Sequence, residues 1–320
     1  MSGAFFVLAF VILSAFRDVF FAGALRSAPF FAVALIAFAT CTAAFLVVAL
    51  AERERTLRVI FADLRTFLLM NLYTACAWLS YFQSLRYLEP AVANVLHAGL
   101  GPPTIMAMGA VGWRIVDAGA MTLPEGLCQV AMGLCLAAMV ACALLGLSAG
   151  AGGTSALIGC AFVIVSGAAI TIATLYTKRL HDAGASAAAV VGTRFLGVLL
   201  ASAVALLLGP AQAREAAGSS TTWLALVPAA FMLMAVPIYL NQIGVKRASP
   251  LTVRVLLALG PVFLIALQTV VGGARLSGYS LAGVTAYCAI AIVAALARMV
   301  SARAYRGKVG TGFPKRICAT

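Results

Sequence analysis

Along the chain, apolar stretches of about 20 residues alternate with short polar breaks, and that is the length a helix needs to cross a bilayer. The pattern predicts ten spans, at 4–25, 29–50, 64–86, 91–112, 127–147, 154–177, 186–208, 222–244, 250–272 and 279–301. The breaks fall at 51–58 (AERERTLR), around Pro124, at 150–153 (GAGG), at Lys178 to Gly184 and at Gly209 to Ser220. The first stretch is longer than a signal-peptide core, carries Arg17 and Asp18, and has no basic residue before it. It therefore reads as a retained span.

Two stretches half a chain apart share a pattern. Tyr81 to Pro102 reads YFQSLRYLEPAVANVLHAGLGP, and Leu240 to Pro261 reads LNQIGVKRASPLTVRVLLALGP. Aligned on Leu100-Gly101-Pro102 and Leu259-Gly260-Pro261, they are offset by 159 residues. In each, an apolar segment ends in a short basic turn holding a proline (Pro90, Pro250), and the next segment carries a Gly-Pro about ten residues in. A repeat of membrane segments is the mark of a transporter built from two halves around a central site. The expected halves are residues 1–147 and 148–303, each of five helices, followed by a basic cytoplasmic tail at 304–320. Five is odd, so the second half enters the membrane with opposite orientation and the repeat is inverted.

Composition agrees with the spans. Hydrophobic residues are 64% of the chain and charged residues 10%, whereas a soluble domain is about half apolar and a quarter charged. The fold class is thus an all-α polytopic membrane protein of ten transmembrane helices in a five-plus-five inverted repeat. The net charge of +13 does not argue for nucleic acid, because the basic residues are scattered over span ends, where they set topology. With the amino terminus in the cytoplasm, fifteen Lys and Arg lie on the inner side and four (Arg26, Arg86, Arg214, Arg275) on the outer. Both termini are therefore expected in the cytoplasm. The eight cysteines lie mostly inside apolar runs, which does not suit a disulfide framework.

The ten spans, the five-plus-five repeat and the paired turns YLEPAVAN and KRASPLTV make the chain resemble the drug/metabolite transporter superfamily, specifically its EamA-type permeases. The resemblance runs from about residue 4 to 301 and is strongest over the third to fourth and eighth to ninth spans. It implies export or exchange of small metabolites, often amino acids or related compounds, across the bacterial inner membrane. Its motifs are loose patterns that identify the fold better than the substrate.

Charge inside the bilayer costs at least about 2.5–3.5 kcal/mol per residue on insertion scales, so it is retained for a reason. Arg17 and Asp18 lie past the middle of the first span, and Arg194 lies about eight residues into the seventh. In one reading Arg17 or Arg194 binds a substrate carboxylate and Asp18 carries a proton or a substrate amine. In the other, Asp18 forms a structural ion pair with Arg194 or Arg17. Arg254, close to the end of its span, is expected to snorkel. Asn71, Thr74, Trp78 and Tyr81 share one face of the third span, and Asn94 and His97 lie one turn before Gly101-Pro102-Pro103 in the fourth. Tandem prolines free backbone carbonyls to meet a ligand or water. In the ninth span Arg254, Pro261 and Gln268 recur every seven residues. The candidate substrate-binding residues are Arg17, Asn71, Trp78, Asn94, His97, Arg194 and Gln268, with Asp18 for proton coupling and Pro102 and Pro261 as hinges. For His97 the alternative is a helix-to-helix hydrogen bond, and for Trp78 it is plain packing.

Cys128, Met132, Cys135, Met139 and Cys142 put five sulfur ligands on one face of the fifth span. A copper(I) path would use such ligands, but no CxxC pair or His cluster accompanies them, and an adaptable packing seam is the expectation. No phosphate loop, nucleophile–base pair or zinc spacing is present in the sequence, so neither an enzyme nor a cofactor is expected. An intramembrane transferase would need clustered acidic or histidine residues, and the nine carboxylates are scattered. The expected function is a secondary transporter exporting a small amino-acid-like, zwitterionic or anionic metabolite, amino-acid-type metallophores included. The alternative is a multidrug exporter of the same fold. Its partners are then a small-molecule substrate and the lipid bilayer, without nucleic acid, and with a homodimer left open.

Overall fold

The computed structural model describes residues 3–52, 55–113, 123–148, 152–211, 215, 220–247, 256–257, 259–271 and 277–309. Among them every regular element is helical. The first half holds α1 (Gly3–Ser27), α2 (Phe30–Ala51), α3 (Arg55–Ala62), α4 (Leu64–Ser84), α5 (Pro90–Gly99), α6 (Gly101–Ala110) and α7 (Leu123–Leu144). The second holds α8 (Gly153–Asp182), α9 (Ala187–Arg194), α10 (Leu196–Leu208) and α11 (Ser220–Ala230), then a π-helical turn at Phe231–Ala235. It ends with α12 (Val236–Arg247), α13 (Gly260–Val271) and α14 (Gly278–Val309). Pro250 and Arg254 and residues 114–122, 216–219 and 310–320 lie outside the described residues.

Among the described residues, six stretches are long and apolar enough to cross a membrane: Gly3–Leu25, Phe30–Ala51, Gly126–Leu144, Gly153–Asp182, Ala187–Leu208 and Leu226–Gly244. The chain is a multi-pass membrane protein. The other expected spans take different forms. Helix α4 is unbroken but polar, carrying Asn71, Thr74, Ser80 and Gln83. The stretch at 91–112 is divided at Leu100. Gly260–Val270 and Gly278–Ala294 are shorter apolar helices within the described residues.

Three interruptions have identifiable causes. Pro102 and Pro103 have no N–H to donate to the carbonyls of Ala98 and Gly99, so α5 stops and a new helix starts at Gly101. In the eighth expected span Pro237 likewise lacks a donor. The turn before it widens, and the Val236 N–H reaches back five residues to the Phe231 carbonyl. The α9/α10 break at Phe195 has no proline. There the Gly197 N–H leaves the helical ladder and donates to Asn71 Oδ1 of α4 at 3.0 Å.

The main helix pairs are α1 with α12 and α13, α2 with α9 and α10, α4 with α8, and α7 with α14. Each joins a helix before residue 148 to one after it. Close approach depends on small residues, as is common between membrane helices. A Cβ added to Gly167 of α8 would sit 2.8 Å from the His97 carbonyl of α5, so that contact requires glycine. Between the helices Phe21, Phe38, Phe82 and Phe195 are fully buried. Phe21 stacks on Phe82 at 5.1 Å and Phe38 meets Phe195 at 5.0 Å.

Candidate functional site

Helix α1 carries a charge pair into this interior. Arg17 and Asp18 are 7% and 1% exposed. Adjacent residues on a helix do not normally face each other, yet the Arg17 side chain folds back on its neighbour. Its Nε donates to Asp18 Oδ1 at 2.8 Å, and Nη2 lies 2.8 Å from the same oxygen. The second carboxylate oxygen accepts from Asn94 Nδ2 of α5 at 2.7 Å. The guanidinium carbon lies 5.2 Å from the ring centroid of Trp78 on α4, a cation–π distance. The structure thus brings Arg17, Asp18, Trp78 and Asn94 into one cluster whose charges cancel. Of the partners open to Asp18, the fold uses Arg17.

One turn along α5, His97 Nδ1 is 2.9 Å from Ser166 Oγ of α8. That hydroxyl has a single hydrogen and donates it to the Ala77 carbonyl of α4 at 2.6 Å. His97 Nδ1 must therefore carry the hydrogen and donate to Ser166, which leaves Nε2 as the acceptor of the neutral ring. The proton is assigned from this network. The Tyr81 ring lies 4.6 Å from the imidazole, centroid to centroid. Sequence reasoning missed Ser166, since nothing marks one serine in an apolar span as the partner of a histidine 69 residues away.

Arg194 closes α9 just before the break. It is 8% exposed, and its guanidinium carbon lies 5.4 Å from the Phe195 ring centroid. Among the described residues its Nε has no hydrogen-bond partner and it forms no ion pair. The Cys41 thiol of α2 is the titratable group beside it. Trp78 connects the two arginines, with ring centroids 6.5 Å from Phe195 and 5.4 Å from Phe38.

Residues 157–296 match the EamA-like transporter family. The match agrees with the resemblance to drug/metabolite transporters read from the sequence, and the family is one of transporters. No curated protein matches in sequence. A solved crystal structure of a protein at 20% identity superposes with a TM-score of 0.62, covering 93% of this chain and 97% of that one. At that identity the likeness concerns the fold.

The EamA-like region supplies Ser166, Arg194 and Gln268. Gln268 on α13 is 2% exposed, and neither its amide oxygen nor its nitrogen has a partner among the described residues. Asn71 is engaged at both ends instead: Nδ2 donates to the Phe67 carbonyl at 3.1 Å while Oδ1 holds the Gly197 N–H. Pro102 lies one residue into α6 and Pro261 one residue into α13, each after a turn at leucine. The sulfur face of α7 packs on α14: Cys135 Sγ donates to the Gly283 carbonyl at 3.3 Å, and Met132 and Met139 are buried.

Two apolar grooves of about 240 and 360 Å³, between α1 and α13 and between α7 and α14, share no residue with this polar interior. At the head of α4, Asp63 caps the helix by accepting from the Thr66 N–H at 3.1 Å, and it pairs with Arg179 of α8 at 3.0 Å. The Thr66 hydroxyl, the Thr66 N–H and then Arg179 hold its carboxyl below the usual carboxylate range.

Proposed function

We propose that this chain is a secondary transporter of a small anionic or zwitterionic metabolite, with Arg194 as the receptor for the substrate's carboxylate. The carrying observation is a buried arginine with no ion pair among the described residues. A buried cation is costly unless an anion or hydrogen-bond acceptors compensate it. Arg17 has its compensation in Asp18, so the two arginines are not equivalent receptors. The polar side chains of Asn94, His97 and Gln268 would contact the remainder of the substrate, against the Trp78 ring. Asp18 would couple the cycle to protons: while ionised it holds Arg17, and once protonated it releases that cation.

The transport framework is ten spans in an inverted five-plus-five repeat of residues 1–147 and 148–303, in a bacterial inner membrane with both termini inside. It is supported by helix starts at the matched positions Gly101 and Gly260 and by the pairing of helices across the halves. Pro102 and Pro261 would act as related hinges. Export is the direction the resemblance favours. The aromatic contacts of Trp78 with Phe38, Phe82 and Phe195 support the second reading, a multidrug exporter.

The test is metabolite profiling of medium and cytosol with the wild-type protein and with Arg194→Gln. Loss of a carboxylate metabolite from the medium in the variant alone supports the first reading. Unchanged export of that carboxylate, or wild-type export of lipophilic cations alone, overturns it.

A further inference from the structure

A second carboxylate is buried at the other end of α5. Glu89 precedes the helix and is 3% exposed. By sequence it belongs to a polar turn, and the fold encloses it against α14. Ser280 Oγ of α14, itself 3% exposed, donates to Glu89 Oε2 at 2.8 Å. Ser277 Oγ lies 3.1 Å from Ser280 Oγ and also accepts the Ser280 N–H at 3.0 Å. Each serine has one hydroxyl hydrogen. Ser280 gives its own to Glu89, so the hydrogen between the serines comes from Ser277. The result is a directed file of hydroxyls from the half-buried cap of α14 to a buried carboxylate.

We propose that Glu89 is a proton-binding site of the transport cycle, loaded from the membrane edge through the hydroxyls of Ser277 and Ser280. In the loading step the Ser280 O–H bond breaks as its proton joins Glu89 Oε2. Ser280 regains an O–H bond with the proton of Ser277, and Ser277 takes one from a water molecule, whose hydroxide passes to bulk solvent. No oxidant or further reactant is needed. The site couples to conformation because Glu89 belongs to the first half and Ser280 to the second. Ser280 donates to an ionised Glu89 through a charge-assisted hydrogen bond, stronger than the one it would give a neutral carboxyl, so the protonation state of Glu89 sets the strength of that contact. The titratable groups with described side chains on the packed elements are His97 on α5; Arg65, Tyr73, Cys76 and Tyr81 on α4, with Arg86 and Tyr87 in the turn after it; Arg17 and Asp18 on α1; Cys160, Tyr176, Lys178, Arg179, His181 and Asp182 on α8; Cys128, Cys135 and Cys142 on α7; and Tyr279, Tyr287 and Cys288 on α14. The described residues of α6 and α13 carry none.

Infrared difference spectroscopy between acid and alkaline pH, on the full chain in liposomes, tests this without any substrate and so independently of Arg194. The wild type is expected to show a protonated-carboxyl band that Glu89→Gln removes and Asp18→Asn does not. Glu89→Gln keeps an acceptor for Ser280, so the fold has no reason to fail. Should it not accumulate, Glu89→Asp must shift the band. After a pH jump followed with the dye pyranine, Ser280→Ala should slow proton uptake about 100-fold, the lower end of what a positioned proton-transfer group contributes. Ser280→Thr should restore it. A carboxyl difference spectrum that substitution at Glu89 leaves wholly unchanged overturns the site, and an unchanged rate in Ser280→Ala overturns the path.

Discussion

Arg17 and Arg194 are buried to nearly the same degree, 7% and 8% exposed, but their surroundings differ. Arg17 holds the neighbouring carboxylate at 2.8 Å, and Asn94 holds that carboxylate's other oxygen. Arg194 faces an aromatic ring and a thiol. Removing a charge from water costs several kcal/mol after relaxation, so each arginine needs an anion. One anion is part of the chain. The other is supplied by substrate in the function proposed above, which gives the protein a reason to keep an arginine it cannot satisfy from its described residues.

The largest effect should come from breaking the satisfied pair. Asp18→Ala leaves Arg17 buried alone, and its expected cost is about 3–5 kcal/mol in unfolding measured in detergent. Adding Arg17→Met should recover most of that loss, whereas adding Arg194→Gln should not. Recovery by Arg194→Gln instead would mean that Asp18 serves the other arginine.

Substituting the uncompensated arginine should have the opposite profile. Arg194→Gln is expected to hold or raise stability while weakening carboxylate binding about 100-fold, equivalent to about 2.8 kcal/mol. Calorimetric titration with the metabolite found by profiling measures the second quantity. A fall in stability with unchanged binding would make Arg194 a structural cation.

A smaller effect is expected where a neutral group supports the Arg194 region. Asn71→Ala orphans the Gly197 N–H beside the α9/α10 break, at about 1–3 kcal/mol in the same unfolding assay. Losing under half of the lower figure would show that water replaces the amide.

The exposed pair sets the lower bound. Asp63→Ala removes a helix cap worth about 0.5–2 kcal/mol and an exposed ion pair worth about 0–1 kcal/mol. Because the folded carboxyl titrates lower than the unfolded one, its charge stabilises fully above the unfolded value of about 3.9. That contribution fades as pH falls through the folded value. The gap between wild type and Asp63→Ala should therefore narrow below about pH 4. A gap that widens on acidification would reverse the sign.

The three interruptions differ in how far the sequence announced them. Pro102 and Pro103 mark the break at Leu100, because a missing N–H is a local fact. The widened turn before Pro237 has the same origin. The break at Phe195 carries no such signal, since its cause is an amide 126 residues away. Of the candidate residues, Arg17, Asp18, Trp78 and Asn94 meet in one cluster. Arg194 stands apart with Phe195, and Gln268 is buried without a described partner. Glu89 carries no signal in the sequence, because it sits in a short basic turn and its burial depends on α14.

Local pattern, read from the sequence alone, determined that the chain lies in a membrane, that it is helical, where most helices begin, and which polar residues lie inside the spans. These follow from periodicity, span length and the missing donor of proline, all properties of neighbouring residues. The tertiary structure alone decided which arginine is neutralised, which nitrogen of His97 carries the proton, and that Glu89 is enclosed. Beyond the neighbouring Arg17–Asp18 pair, the contacts behind these outcomes join residues 76, 69 and 191 positions apart. In an apolar helix almost any face can pack, so periodicity does not choose a partner. The partner is chosen by where small residues such as Gly167 let helices approach and by the cost of leaving a buried donor, acceptor or charge unmatched.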